Sequence, residues 1–312
     1  MATSTFQPSA RRLLHALLLV QLAGALAIGA MAWRWFAATP AMALACGLGA
    51  VALVRLLVSA NNFVLSARYA SATPPEFRLG LAAWLRLFEE EFVASMLQSS
   101  WYMPRATPRQ VIFEGSAAAP VLLLHGYGCN SGYWTHLAPL LDAARISHAT
   151  LDLEPVTGSI DDYAPLVERA VESLCAATGA AKVVIVAHSM GGLVARAWMR
   201  AHGAARVARL VTLGTPHHGT CLASFGVGLN AAQMQRSAGC GEESAWLREL
   251  NASESAATRR LITSIYSHHD NIISPQTSGL LEGARNIAIG GVGHVALGRN
   301  PGVLARVMQE IA

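Results

Sequence analysis

Ser189 stands in the string Ala187-His188-Ser189-Met190-Gly191-Gly192, after the apolar run Val183 to Ala187 and before the helical stretch Met190 to Ala201. Small residues two before and two after a serine suit a sharp strand-to-helix elbow that lifts the hydroxyl out as a nucleophile. Ala187 stands where the first glycine of such an elbow is usual, a mild departure because alanine is the next smallest residue. A serine nucleophile needs a base, and the base needs an orienting acid. On an elbow of this kind the chain order is Ser, then Asp or Glu, then His. Asp270 is the only aspartate after Ser189, and His294 is the only histidine after Asp270. The expected triad is therefore Ser189, Asp270 and His294. His268 and His269 precede Asp270 and fail the order, and Glu282 is the reserve acid.

A tetrahedral intermediate also needs two backbone donors. The N–H of Met190, at the start of the helix after the elbow, is one candidate. The N–H of Tyr127 is the other, in the loop His125-Gly126-Tyr127-Gly128 that follows the apolar run Val121 to Leu124. His125 reads as a structural hydrogen-bonder rather than a base.

These groups need a scaffold that brings loop ends together. Short β-rich runs fall at Arg109 to Glu114, Val121 to Leu124, Ile146 to Leu153, Val183 to Ala187, Arg209 to Leu213, Leu261 to Tyr266 and Asn286 to Ile289. Helical periods lie between them at Asp161 to Ala177 and Met190 to Ala201, and a last one spans Pro301 to Ile311. The alternation predicts an α/β domain over 109–312, with a doubly wound, mostly parallel sheet. Ligands in such sheets sit at the carboxyl ends of the strands, where Ser189, Asp270 and His294 all fall. Residues 215–260 interrupt the alternation and are expected to form a lid or cap.

The chain of 312 residues is 53% hydrophobic and only 13% charged. Roughly a quarter charged is usual for a soluble domain, so this balance points to a membrane segment. Net charge is +4, with Lys182 the sole lysine, too little and too scattered for nucleic-acid binding. Residues 1–70 read as a membrane module. Apolar stretches at about 13–35 and 41–61 are long enough to span a bilayer. Arg55 is expected to snorkel toward a head-group region. Arg11 and Arg12 before the hairpin, and Arg68, Arg78 and Arg86 after it, put both flanks in the cytoplasm of a bacterial inner membrane. A secretory signal peptide ending near Ala30-Met31-Ala32 is the competing reading. Residues 71–108 form a connector. Its helix runs from Phe77 to Trp101 with Leu81, Trp84, Leu85, Phe88, Phe92 and Met96 on one face, and Glu89, Glu90 and Glu91 interrupt it. We expect it to pack on the catalytic domain, because three acids would be repelled by an anionic membrane surface. The five cysteines show no metal-type spacing and read as free thiols, although Cys221 and Cys240 could pair.

The stretches His125-Gly126-Tyr127-Gly128, Ala187 to Gly192, Gly214-Thr215-Pro216-His217-His218-Gly219-Thr220, Asp270 and Gly293-His294-Val295 resemble the bacterial triacylglycerol lipase and esterase group of the α/β-hydrolase family. The resemblance covers residues 120–300 and not 1–100. It implies an α/β-hydrolase fold with a lid, a Ser189–Asp270–His294 triad, and an oxyanion hole at Tyr127 and Met190. No cofactor is expected. Some relatives carry a structural calcium, for which no ligands can be placed here. The implied activity is cleavage of lipid-like carboxylic esters near a membrane through an acyl-serine. An acyltransferase or thioesterase would use the same triad, and a membrane-bound binding protein on the same scaffold is the non-catalytic alternative.

Overall fold

The computed structural model describes residues 9–237 and 241–312. Seven strands form one sheet in the order β1-β3-β2-β4-β5-β6-β7. They are β1 (Gln110–Val111), β2 (Val121–Leu124), β3 (His148–Leu151), β4 (Val183–His188), β5 (Val207–Leu213), β6 (Ile262–Ser267) and β7 (Arg285–Ile289). Only β1 is antiparallel. All seven expected strands form, but the two outer expectations on the amino side shrink. Arg109 to Glu114 becomes a two-residue edge strand, and Ile146 to Leu153 becomes four residues.

The central strands are apolar on both faces because both are covered. One face packs on helices Ala164–Thr178 and Met190–His202, through residues such as Val167, Val171, Leu193 and Trp198. The other packs on Tyr133, Trp134 and the last helix, Pro301–Ile311, through Val303 and Val307. The chain leaves β2 for β3 on one side and returns to β4 on the other, so the crevice of the sheet opens where β2 and β4 end. Their last paired residues, Leu124 and Ala187, lie side by side. The Tyr127 loop and the Ser189 elbow leave from that point.

Ahead of the sheet, α1 (Ala10–Phe36) and α2 (Pro40–Arg68) form an antiparallel pair, each long and apolar enough to cross a membrane. Both run longer than the sequence pattern suggested. They meet along a seam of small residues, Ala25, Gly29 and Ala32 against Ala43 and Gly47. A Cβ on Gly47 would stand 2.2 Å from the Ala25 carbonyl oxygen, so only glycine allows this approach. Arg55 does not snorkel freely. Its guanidinium turns inward to Gln21 Oε1 (2.6 and 3.0 Å) and to the hydroxyls of Ser99 (3.1 Å) and Ser100 (2.7 Å). Neutral acceptors hold the charge, which no acid partners among the described residues.

The connector also differs from expectation. The helix α3 (Leu81–Leu97) passes into a π-turn at Gln98–Tyr102. Its buried stripe is Leu87, Glu91, Ala94 and Gln98, while Leu81 and Leu85 are exposed. The helix therefore packs on the sheet domain through the face that carries an acid, not through its most apolar one.

Between β5 and β6 lie a 3₁₀ turn (Cys221–Phe225) and helices Leu229–Met234, Ala245–Ser253 and Ala256–Arg259. Arg196 of the helix after β4, fully buried, ties this segment down. It donates to both carboxylate oxygens of Glu254 (2.7 Å each), to Asn251 Oδ1 (2.6 Å) and to His217 Nδ1 (3.2 Å). Burial, with the Arg196 charge beside it, holds His217 well below the usual histidine range, which fits an imidazole that accepts from Arg196. Cys46, Cys129 and Cys175 are free as expected, but Cys221 is disulfide-bonded; Cys240 lies outside the described residues. An Arg196→Met variant leaves buried Glu254 with only Arg259 (3.2 Å) as its cation, and should lower stability by about 3 kcal/mol. Chemical denaturation reads this, and adding Glu254→Gln should recover part of the loss.

Candidate active site

Ser189 takes φ 53° and ψ −125° between β4 and the helix Met190–His202, a left-handed backbone that a non-glycine residue adopts only under strain. The surroundings compel it. Ser189 N donates to Leu213 O at 2.8 Å, and Thr215 Oγ1 donates to Ser189 O at 2.8 Å. The next residues must be small, since a Cβ on Gly191 would lie 2.5 Å from Leu124 O. On the other side a Cβ on Gly126 would lie 2.8 Å from Ser189 Cβ. The Tyr127 loop is thus pressed against the serine. The amide of Tyr127 has no acceptor among the described residues, and that of Met190 is the first of its helix, where no intrahelical acceptor exists.

Asp270 and His294 come together in the turns after β6 and β7. His294 Nδ1 lies 2.7 Å from Asp270 Oδ2. The other carboxylate oxygen accepts from the amides of Ile272 (2.8 Å) and Ile273 (2.7 Å). Burial by itself depresses the imidazole. The Asp270 charge and hydrogen bond, with Glu91 beyond, outweigh it and raise His294 above the ordinary histidine value. Ser189 Oγ forms no hydrogen bond to His294 here; such contacts often tighten only when substrate is bound. Ser189 is joined to the pair through its neighbour, because His188 Nε2 donates to His294 O at 3.2 Å. His188 also stacks on Tyr133 with ring centroids 3.9 Å apart. Burial pushes it well below the usual range, with the His294 charge adding to the effect, so it is neutral.

The reserve acid, Glu282, is exposed and away from this group; its backbone carbonyl accepts from Arg259. His268 and His269 face the connector, packing on Phe77 and Trp84. His125 is the structural hydrogen-bonder expected: Nε2 accepts from Leu153 N at 2.9 Å, leaving Nδ1–H for Gly126 O. Among the described residues no three His, Cys, Asp or Glu side chains group closely enough to hold a metal ion.

The sequence reading missed three supports of the pair. Asn271 Oδ1 accepts from His294 N at 2.9 Å. Ser66 of α2 donates to Asp270 O at 3.0 Å. Glu91 of α3, 1% exposed, accepts from Val295 N (3.0 Å) on one oxygen and Ala296 N (2.8 Å) on the other. Burial raises the Glu91 carboxyl, and those two donors oppose the rise. Both oxygens act as acceptors, which fits the ionised form. The signal lay in the sequence as an acid four residues from Leu87 and three from Ala94, the stripe that turns out to be buried.

The cleft above Ser189 has a volume of about 540 Å³ and is lined mainly by apolar groups, among them Leu222, Phe225, Met234 and Ile273. Tyr127 anchors its far edge, the phenol donating to Val227 O (2.7 Å) and accepting from Val227 N (2.9 Å).

A family described as alpha/beta hydrolase fold matches residues 119–239. Over 136 residues the chain is 33% identical to a triacylglycerol lipase of Burkholderia plantarii, covering 38% of this chain and 36% of that one. Over 120 residues it is 46% identical to a triacylglycerol lipase of Pseudarthrobacter phenanthrenivorans, covering 34% and 35%. The matches thus span little more than a third of those relatives. Among solved structures, the mature form of a Bacillus licheniformis lipase aligns with TM-score 0.55 at 16% identity, covering 66% of this chain and 97% of that one. An Aspergillus fumigatus lipase B aligns with TM-score 0.51 at 19% identity, covering 67% and 55%.

Replacing Glu91 by Gln removes a negative charge behind His294, so the protonated imidazole loses support and its pKa falls. The acid limb of kcat/KM against pH should move to lower pH in Glu91→Gln, with kcat reduced about tenfold as the loop loosens; an unmoved limb would leave Glu91 a purely structural clamp. The sheet order, the elbow at its switch point and the family match over residues 119–239 give this chain the α/β-hydrolase fold, and over about a third of its length it is similar to triacylglycerol lipases.

Proposed function

We propose that the protein is a membrane-anchored serine hydrolase that cleaves carboxylic esters with lipid-like acyl chains. The observation that carries this is the Asp270–His294 pair, closed at 2.7 Å beside the strained Ser189 that floors an apolar cleft. The names of the matched relatives support an ester substrate.

In this reading Ser189 Oγ attacks the ester carbonyl while His294 Nε2 takes its proton. Asp270 fixes the tautomer with Nδ1–H toward itself and stabilises the imidazolium. The carbonyl oxygen becomes an oxyanion facing the N–H groups of Tyr127 and Met190. Collapse breaks the bond to the alcohol, which leaves with the proton from His294 and gives acyl-Ser189. Water, deprotonated by His294, releases the acid by the same route. The strained elbow and buried donors are set before substrate arrives, so little reorganisation is required. Residues 215–260 would act as the cap, with the Tyr127 to Val227 contact as one fastening.

The hairpin of α1 and α2 serves as the anchor. Both its ends return to the sheet domain: Ala10 N donates to Glu154 Oε1 (3.1 Å), and Ser66 meets the Asp270 loop. The domain then sits on one face of a bacterial inner membrane. The arginines at the hairpin ends support a cytoplasmic face, whereas the disulfide at Cys221 supports an oxidising compartment on the other side. A C-terminal alkaline phosphatase fusion reads the face directly, since that reporter is active only outside the cytoplasm.

The full chain in detergent micelles should hydrolyse p-nitrophenyl esters and favour longer acyl chains. Ser189→Ala should lose activity by about 10⁶-fold; equal rates would sink the hydrolase reading. Asp270→Asn should lower kcat by about 10⁴-fold. Because the carboxylate raises the His294 pKa, its loss should also shift the rise of kcat/KM with pH toward lower pH.

A further inference from the structure

The second apolar helix does more than hold the domain down. Asn61, Asn62 and Leu65 of α2 form one wall of the cleft that contains Ser189. The wall is fixed to the acid of the triad. One turn further along α2, Ser66 donates to Asp270 O (3.0 Å), and its own carbonyl accepts from Ser274 Oγ at 2.8 Å. Gln276 Nε2 bridges Ser66 Oγ (3.1 Å) and Asp270 O (3.0 Å).

The depth of this wall follows from helix length. A span of about 20 residues crosses the hydrocarbon core. Counted from Pro40, where α2 begins, it ends just before Asn61, at the head-group level on the side of the sheet domain. Two amides at that level of an apolar helix cost free energy unless something hydrogen-bonds them. Neither amide has a partner among the described residues. Across the cleft, Phe225 is 66% exposed and is followed by Val227 and Leu229, 69% and 62% exposed. The mouth therefore lies between a membrane helix and an apolar rim. No charged side chain is among the described residues that line the cleft.

Resting on the hydrolase reading above, we infer that this cleft takes its ester directly from the bilayer, and that Asn61 and Asn62 determine specificity by binding a neutral, hydroxyl-bearing head group. An amide offers both a donor and an acceptor, as a hydroxyl does. A charged head group would find no counter-charge in the lining. The acyl chain lies against the apolar cap residues, with the ester carbonyl over Ser189. A mostly apolar cleft with a few placed polar groups is the usual build of a specific pocket.

The test uses the full chain reconstituted in phosphatidylcholine vesicles. These are doped either with 1-monooleoylglycerol or with methyl oleate, which keeps the acyl chain and lacks the hydroxyls. Fluorophosphonate labelling of Ser189 checks that each variant is folded. The quantity read is the ratio of kcat/KM for the two esters. In the Asn61→Ala/Asn62→Ala double variant this ratio should fall by about tenfold, the worth of a pair of neutral hydrogen bonds. Asn61→Gln/Asn62→Gln, which keeps both amides, should restore much of it. A ratio unchanged in the alanine variant overturns the proposal, as does wild-type preference for a lysophosphatidyl ester over monooleoylglycerol. Failure of the wild type on every ester would instead overturn the hydrolase reading, so the two failures are distinguishable.

Discussion

The Asp270–His294 hydrogen bond is the contact on which the rest of the site depends. The two residues come from separate turns, after β6 and β7, and neither turn is held by a strand pairing at that point. A proton relay tolerates little misplacement, so both turns must be fixed from outside. Asp270 spends one oxygen on the amides of Ile272 and Ile273, which orients the other toward His294. His294 is held at its amide by Asn271 and at its carbonyl by His188. The next two amides, Val295 and Ala296, end on Glu91. Each of these bonds is modest alone, about 1 kcal/mol net. Their value lies in leaving the imidazole a single place to stand.

The first hundred residues reach the site at three places. Ser66 touches the backbone of the acid, Glu91 the loop of the base, and Asn61 and Asn62 the open side of the cleft. The hairpin and connector are therefore built into the candidate site. This explains why α3 buries the face bearing Glu91 and leaves Leu81 and Leu85 outside. An unpaired carboxylate would be costly there, but two N–H donors and the adjacent imidazole repay its burial.

What could be read without the structure divides by range. Ser189 was legible because a strand, a small-residue elbow and a helix lie within about twenty consecutive residues. Asp270 and His294 followed by elimination, since Asp270 is the only aspartate after the elbow and His294 the only histidine after Asp270. The central strands were legible because they are short apolar runs buried on both faces, whereas the edge strands β1 and β7 are partly exposed and patterned more weakly. The supports were not, because Glu91 and Ser66 act on partners some 204 residues away. Nothing local distinguishes them from a solvated acid or a helix-end serine. The glutamate run did break the apolar pattern of the connector, and its position relative to Leu87 and Ala94 was the available clue. Arg55 was misjudged for a related reason. Its partners Gln21, Ser99 and Ser100 sit on two other elements, so its cradle exists only once the helices have packed.

The hairpin itself combines two opposite requirements. Near its closed end, small residues let α1 and α2 approach until backbone meets backbone at Gly47 and Ala25. That packing asks nothing of the solvent and suits hydrocarbon. Toward the sheet domain the same helix α2 becomes polar, through Arg55, Asn61, Asn62 and Ser66, over about three turns. Polar groups on a membrane helix persist only where they find partners or line a cavity. Arg55 finds α1 and the π-turn, and Ser66 finds the Asp270 loop, while Asn61 and Asn62 face the cleft. The gradient from glycine seam to polar end thus leaves the polar end of α2 to hold the Asp270 loop and to wall the cleft that contains Ser189.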